Sequence, residues 1–253
     1  MLRAGSLTAA FLCSSAVATA AAPPGAPVSV WSMARTDANV VHLELGSVAN
    51  HGSDRWNISR AVRASDFKPV PDLEVKHAVD FELARGAGTF RLVGRSNGSG
   101  SASGTFDFQP NRSFTGLLVR QGLAHEVDDV ADAAAVDLNG VDMTSLHEAD
   151  PNATLADMVA AKSVGLTPSD YSALLAAFST PPPLRDAVAL RVAGVDVAYV
   201  TALRNAGVVA LTPNACLALK SLDVSGEDAR LAARHRRSPL TASRLIAWKA
   251  ITR

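Results

Sequence analysis

From Val28 to about Gln109 the chain alternates apolar and polar residues with a period of two. Val28-Ser-Val-Trp-Ser-Met33 and Val41-His-Leu-Glu-Leu45 do so, as do Val79-Asp-Phe-Glu-Leu83, Thr89-Phe-Arg-Leu-Val93 and Thr105-Phe-Asp-Phe-Gln109. Successive strand side chains point to opposite faces, so each segment predicts a strand with one buried and one wet face, as in an antiparallel sheet. Gly86-Ala-Gly88 and Asn97-Gly-Ser-Gly100 supply turn chemistry between consecutive strands. Pro69 and Pro71 mark a loop ahead of the strongest hairpin. Residues 28–120 are therefore expected to form an antiparallel β-meander, folded as a sandwich or partial barrel.

After Asn111 the period changes. Phe114-Thr-Gly-Leu-Leu-Val119 begins helical spacing, and from Thr154 onward the pattern is helical. Lys162, Arg191, Lys220 and Lys249 recur every 29 residues. Three positions before them stand Val159, Val188, Leu217 and Ile246; three after stand Gly165, Gly194 and Asp223. An apolar residue follows (Leu166, Val195, Val224), then Thr167, Asp196 or Ser225. This predicts a helix, a glycine-type C-cap, an apolar residue and an N-cap opening a second helix. Second helices are expected at 169–178, 198–206 and 227–234. Residues 154–253 are read as about three and a half helical-hairpin units of period 29, whose neighbours bury faces that one pair cannot. The fold class is α+β. Gly165, Gly194 and Asp223 are the structural turns. The basic column is either a solvated face, its alkyl stems lying over apolar neighbours, or a binding ridge.

Two stretches in the helical half, Ala189-Leu-Arg191-Val-Ala-Gly194-Val195-Asp196 and Lys162-Ser-Val-Gly165-Leu166-Thr167-Pro168, carry a resemblance. So does the sheet segment Phe81-Glu-Leu-Ala-Arg85-Gly-Ala-Gly88, with Gly94 and Ser103-Gly104-Thr-Phe-Asp-Phe108. Over roughly residues 78–235 the chain resembles exported bacterial proteins of unassigned function, and the extracellular repeat portions of BlaR-like regulatory metallopeptidases. Asp223 departs from the turn glycine, and 121–153 departs as a whole. The peptidase domain is absent, so the resemblance implies a stand-alone exported repeat protein without protease activity.

Residues 1–20 read as a secretory signal, with Arg3, a short apolar stretch from Leu7 to Val17, and the Ala18-Thr19-Ala20 cleavage pattern. Residues 21–27 form a Pro/Ala linker. The expected location is periplasmic or secreted. Cys13 would leave with the signal, and Cys216 alone makes no internal disulfide. No later stretch approaches the ~20 apolar residues of a transmembrane helix.

Composition narrows the function classes. Hydrophobic residues are 48% and charged residues 19%, as in folded proteins. Lys plus Arg equals Asp plus Glu at 24 each, which argues against nucleic-acid binding on bulk charge. Neutrality hides two opposed regions, however. Segment 121–161 has no Lys or Arg but holds Glu126, Asp128, Asp129, Asp132, Asp137, Asp142, Glu148, Asp150 and Asp157. Residues 121–153 are read as a solvated acidic linker; Gly140 stands too early for an EF-hand loop. After Asp228 come Arg230, Arg234, Arg236, Arg237, Arg244, Lys249 and Arg253, with no acid. Arg234, Arg236 and Arg237 therefore join Lys162, Arg191, Lys220 and Lys249 as candidate interaction residues.

Catalytic signatures fail on spacing. His125-Glu126 and His147-Glu148 lack the second histidine at i+4, where Asp129 and Pro151 stand. There is no G-x-S-x-G elbow, and Arg91 occupies the third glycine position after Gly86-x-Gly88. The expectation is a non-catalytic interaction module with a protein partner in the cell envelope, and with no catalytic, cofactor or metal residues. The alternatives are an envelope protein holding anionic lipid or polymer through its Arg-rich end, and a hydrolase without a recognisable motif.

Overall fold

A computed structural model describes residues 28–48, 54–234 and 239–252. The predicted signal and Pro/Ala linker lie outside these residues. Seven antiparallel strands come first: β1 (Val28–Asp37), β2 (Val40–Val48), β3 (Asp54–Arg63), β4 (Phe67–Lys68), β5 (Ala78–Ala84), β6 (Gly88–Ser96) and β7 (Ser101–Pro110). Their order is β3-β2-β1-β7-β6-β5-β4, two meanders joined by β1–β7 pairing. The structure thus has one curled sheet, and among the described residues no second large sheet faces it as a sandwich would require.

Chain connectivity explains the curl. The edge strands β3 and β4 are joined only by a 3-10 turn at Ala64–Asp66. Four residue steps span at most ~14 Å, whereas the edges of a flat seven-stranded sheet lie about 29 Å apart. The sheet must bend into a half-barrel. Its inner face carries Trp31, Met33, Leu43, Phe67, Phe81, Phe90 and Leu92, all buried. Trp31 and Phe81 sit three strands apart in order, yet their rings meet edge-on at 6.2 Å across the hollow.

Two facing glycines form the crease. Gly94 on β6 pairs with Gly104 on β7, and Gly104 pairs with Trp31 on β1. A Cβ on Gly104 would fall 2.0 Å from the Val93 carbonyl oxygen, and one on Gly94 would fall 2.1 Å from that of Ser103. Only bare backbones can approach this closely, and beside them the Trp31 indole N–H donates to the Thr105 and Val93 carbonyls at 3.0 and 3.2 Å.

The helices follow: α1 (Arg112–Arg120), α2 (Val127–Ala135), α3 (Gly140–Ala149), α4 (Leu155–Ser163), α5 (Pro168–Ala177), α6 (Leu184–Val192), α7 (Val197–Asn205), α8 (Pro213–Ser221), α9 (Gly226–Arg234) and α10 (Ala242–Thr252). Two-residue strands β8 (Val208–Val209) and β9 (Leu240–Thr241) pair in parallel. Side chains cap most helix starts. Thr154 and Thr167 make reciprocal capping boxes with Asp157 and Asp170, and Asp196 accepts from Tyr199 N–H. The even-numbered helices α2, α4, α6, α8 and α10 contact one another in succession, as do α3, α5, α7 and α9.

The segment 121–153 is not a linker. It holds α2, which buries Val130, Ala133 and Ala134, α3, which buries Met143 and Leu146, and a turn between them that buries Val136 and Leu138. Asp128 is exposed and Asp132 half-buried on an Ala-rich helix whose other side is apolar, so a polar composition concealed a buried face. Helix α2 packs on β6 and β7. The β5–β6 turn abuts the α2–α3 turn: a Cβ on Gly86 would lie 3.0 Å from Asn139 Cβ. Arg85 bridges the same joint, bonding Asp66 at 3.0 Å and approaching Asp137 at 4.0 Å. One continuous set of buried side chains runs from Trp31 to Leu245, so sheet and helices share a core.

Candidate interaction surface

The basic column turns inward at three of its four positions. Lys162 Nζ lies 2.5 Å from Asp142 on α3, and Lys249 Nζ lies 3.0 Å from Asp228 on α9. Lys220 Nζ sits 4.8 Å above the Tyr199 ring on α7. Asp142, Tyr199 and Asp228 each stand three residues after their helix's N-cap residue, Asn139, Asp196 or Ser225. Each lysine therefore reaches back from a first helix to the opening turn of the preceding second helix. These lysines are engaged within the molecule. Lys162–Asp142 and Lys249–Asp228 are largely shielded, and each contributes about 1 kcal/mol. At Asp228 burial raises the pKa, but the Ser225 backbone N–H and Lys249 outweigh it and hold the carboxyl below its ordinary value.

Arg191 differs. It is exposed, and its guanidinium makes only a long 3.5 Å bond to the Gly165 carbonyl. Beside it a groove of about 250 Å³ runs between α5 and α7, lined by Leu166, Asp170, Leu174, Val195, Asp196 and Val197. Val192, one residue on, is 71% exposed. Arg234 is also exposed, whereas Arg236 and Arg237 lie outside the described residues.

The turns behave as their residue types require. Gly165, Gly194 and Asp223 have φ of 68°, 70° and 53°. Asp137, between α2 and α3, has φ of 58° and matches them in place. Aspartate enters this left-handed region more readily than most residues.

A contact unseen in the sequence links distant helices. Pro183 opens α6 without a side-chain cap, and Asp150 at the end of α3 accepts from Leu184 N–H at 2.8 Å instead. A second cleft, of about 200 Å³, opens where β7 meets α2, with Phe106, Phe108, Val127 and Ala131 as its apolar walls and Asp107 and Asp128 beside them. On the outer sheet face, Ser32 donates to Glu44 at 2.9 Å and His42 Nε2 meets Ser59 Oγ at 2.5 Å. These pairs are exposed.

The reactive groups are placed as structure. Cys216 is fully buried in α8, and burial pushes its thiol up to about 11. Tyr171 and Tyr199 are pushed upward by burial, and their hydroxyls donate to the Pro182 and Val224 carbonyls. Asp132 on α2 is raised to about 6, by burial first and then by Asp129 and Asp128. His125 Nδ1 meets the Leu123 carbonyl at 3.0 Å. Among the described residues no group of three or more His, Cys, Asp or Glu side chains converges as a metal site would need. No described helix is long and apolar enough to cross a membrane. Comparison with protein-family models, curated proteins and solved structures found no match.

Proposed function

We propose that the protein is an exported, non-catalytic interaction module that binds a protein partner in the cell envelope. Its helical half is a stack of hairpins with a period of 29 residues, and α4, α6, α8 and α10 begin at that spacing. The observation that carries this reading is the shared task of the basic column. Lys162, Lys220 and Lys249 tie successive hairpins together, while the equivalent Arg191 is left exposed beside the α5–α7 groove. Stacked units present an extended surface wider than any single helix, the usual asset of such arrays in recognition. Arg191 supplies one of the side-chain types enriched where interfaces concentrate their energy. The resemblance to exported bacterial repeat proteins points the same way.

A photo-crosslinking residue at Ala198, in the groove wall, tests the reading in the producing cell. The expected result is one discrete protein adduct that disappears when Arg191→Glu is added. Adducts at the outer sheet face alone, for example from Ser59, would overturn it. Export is tested by N-terminal sequencing, with Ala21 expected as the first residue.

A second reading rests on the acid-free run after Asp228, with Arg230 and Arg234 exposed on α9. That end would hold an anionic lipid or polymer. Binding to vesicles rich in phosphatidylglycerol, steeply weakened by salt, would favour it over the protein partner.

A further inference from the structure

Two Asn-Gly pairs occur in the chain, Asn97-Gly98 and Asn139-Gly140, and the fold treats them in opposite ways. Such a pair carries its own reaction. The backbone nitrogen that follows an asparagine can reach that side chain's carbonyl carbon, Cγ, and glycine puts no side chain in the way.

Asn139 is locked. It opens α3 as the N-cap, where its Oδ1 accepts from the Val141 and Asp142 N–H groups at 2.9 Å and its Nδ2 donates to Asp142 at 3.2 Å. The residue is half-buried and abuts the β5–β6 turn at Gly86. Gly140, which holds the attacking nitrogen, is the first residue of the helix. Bringing that nitrogen onto Cγ would strip α3 of its cap, a loss of about 1 kcal/mol, and disturb the packed joint.

Asn97 sits exposed in the tip between β6 and β7, beside a groove on the outer sheet face that Arg95 and Ser101 also line. Its bonds stay within the tip. Oδ1 accepts from the Ser99 and Ser101 N–H groups at 2.9 and 3.3 Å, and Nδ2 donates to Ser101 Oγ. Gly98, at φ of 74°, donates its N–H to Ser96 Oγ at 3.2 Å and is outside the sheet ladder. At both asparagines two N–H groups would receive the negative charge that builds on Oδ1 during attack at Cγ. Only at Asn97 do they belong to an exposed tip that can rearrange without undoing a helix or a packed joint.

We propose that Asn97-Gly98 is a self-modification site, at which Asn97 converts to isoaspartate and aspartate through a succinimide. The Gly98 nitrogen bonds to Asn97 Cγ, the Cγ–Nδ2 bond breaks, and ammonia leaves with the proton from Gly98. Water then opens the ring. Breaking the new bond at Cγ gives aspartate. Breaking the bond between the Gly98 nitrogen and the Asn97 backbone carbonyl carbon gives isoaspartate, whose main chain runs through the former side chain. No oxidant, reductant or cofactor is consumed. Either product adds a carboxylate to the groove that Arg95 lines. Isoaspartate also lengthens a tip that Gly100 ties to the Leu73 carbonyl at 3.0 Å and to the Arg35 N–H at 2.8 Å.

Peptide mapping by mass spectrometry over a time course of the purified intact chain tests this, with electron-transfer fragmentation to separate isoaspartate from aspartate. The expected result is a gain of one dalton at Asn97, with isoaspartate the larger product, and conversion at Asn139 slower by at least about tenfold. The rate at Asn97 should climb from about pH 7 to about pH 9, because the attacking amide must give up its proton. In concentrated urea, where tip and helix are both unfolded, the two pairs should convert at similar rates. Asn139 converting as fast as Asn97 in the folded chain overturns the proposal. So does an Asn97 that stays intact in the folded chain after it has converted in urea. A difference that persists undiminished in urea would belong to local sequence and overturn the part given to the fold. Aspartate without isoaspartate would mean direct hydrolysis of the side-chain amide and overturn the succinimide route.

Discussion

In the sheet, contacts join residues far apart in the chain. The Trp31 indole bonds carbonyls 62 and 74 residues away, and the inner face draws on strands from both meanders. In the helical stack each unit touches the next, and Lys162 and Lys249 reach partners 20 and 21 residues away. The sheet consequently rests on a few positions that admit no substitute, whereas the stack spreads its cohesion over many modest, similar contacts. A change at one sheet crease should propagate, and a change at one turn of the stack should stay local.

The largest effect is expected at the crease. Gly104→Val places a branched side chain where even a Cβ would stand 2.0 Å from a backbone oxygen. The sheet can relieve this only by uncurling, at a loss of about 4 kcal/mol or more. Urea unfolding followed by Trp fluorescence checks it, and a variant within about 1 kcal/mol of the parent would dissolve the contrast between the halves.

Next comes a turn of the stack. Gly194 has φ of 70°, and its added Cβ would meet only Lys220 Cε at an ordinary 3.6 Å. The penalty of Gly194→Val is therefore one of backbone conformation, about 1–2 kcal/mol. The exposed Ser163→Val should cost far less in the same melting series. Asp150→Ala removes the borrowed cap of α6 and should cost about 1 kcal/mol. Equal stability of this variant and the parent would show that the α3–α6 bond contributes nothing.

The smallest effect depends on pH. Asp132 has a folded pKa of about 6 against an ordinary 3.8, so ionising it costs stability. That cost is absent below the ordinary value, grows as pH rises between the two, and is complete above about 6. Asp132→Asn should melt higher than the parent at pH 8 and level with it near pH 3. A constant difference across pH would place the effect elsewhere.

Much of this comparison was legible in the sequence, and the exceptions have physical causes. The alternating segments fall in β1, β2, β5, β6 and β7. Strand β3 was missed because Arg60 stands on its inner-facing register between Ile58 and Val62, which breaks the apolar alternation. An inward charge on an edge strand also discourages pairing with another chain. The turn residues Gly165, Gly194 and Asp223 all take the left-handed conformation their spacing implied. The segment 121–153 was misread for two reasons. Alanine contributes little to a hydrophobic pattern, and this stretch has Asp137 where two later turns have glycine, and Ala134 where later hairpins have a basic residue. The basic column was visible, but its direction was not. Only the fold brings Lys162 to Asp142 and Lys249 to Asp228 while leaving Arg191 exposed. The Asp150 cap and the β7–α2 cleft depend on distant segments and left no mark on local pattern.

If α2 and α3 are the joint that makes sheet and stack one cooperative body, native-state hydrogen exchange of the intact chain reads it directly. The amides of Ala133 and Ala134 in α2 should open with the same free energy as that of Leu92 in β6, and Arg85→Ala should lower both together. Exchange of the α2 and α3 amides far faster than those of both β6 and α6 would contradict the account, because the segment would then be a connection between two independent bodies.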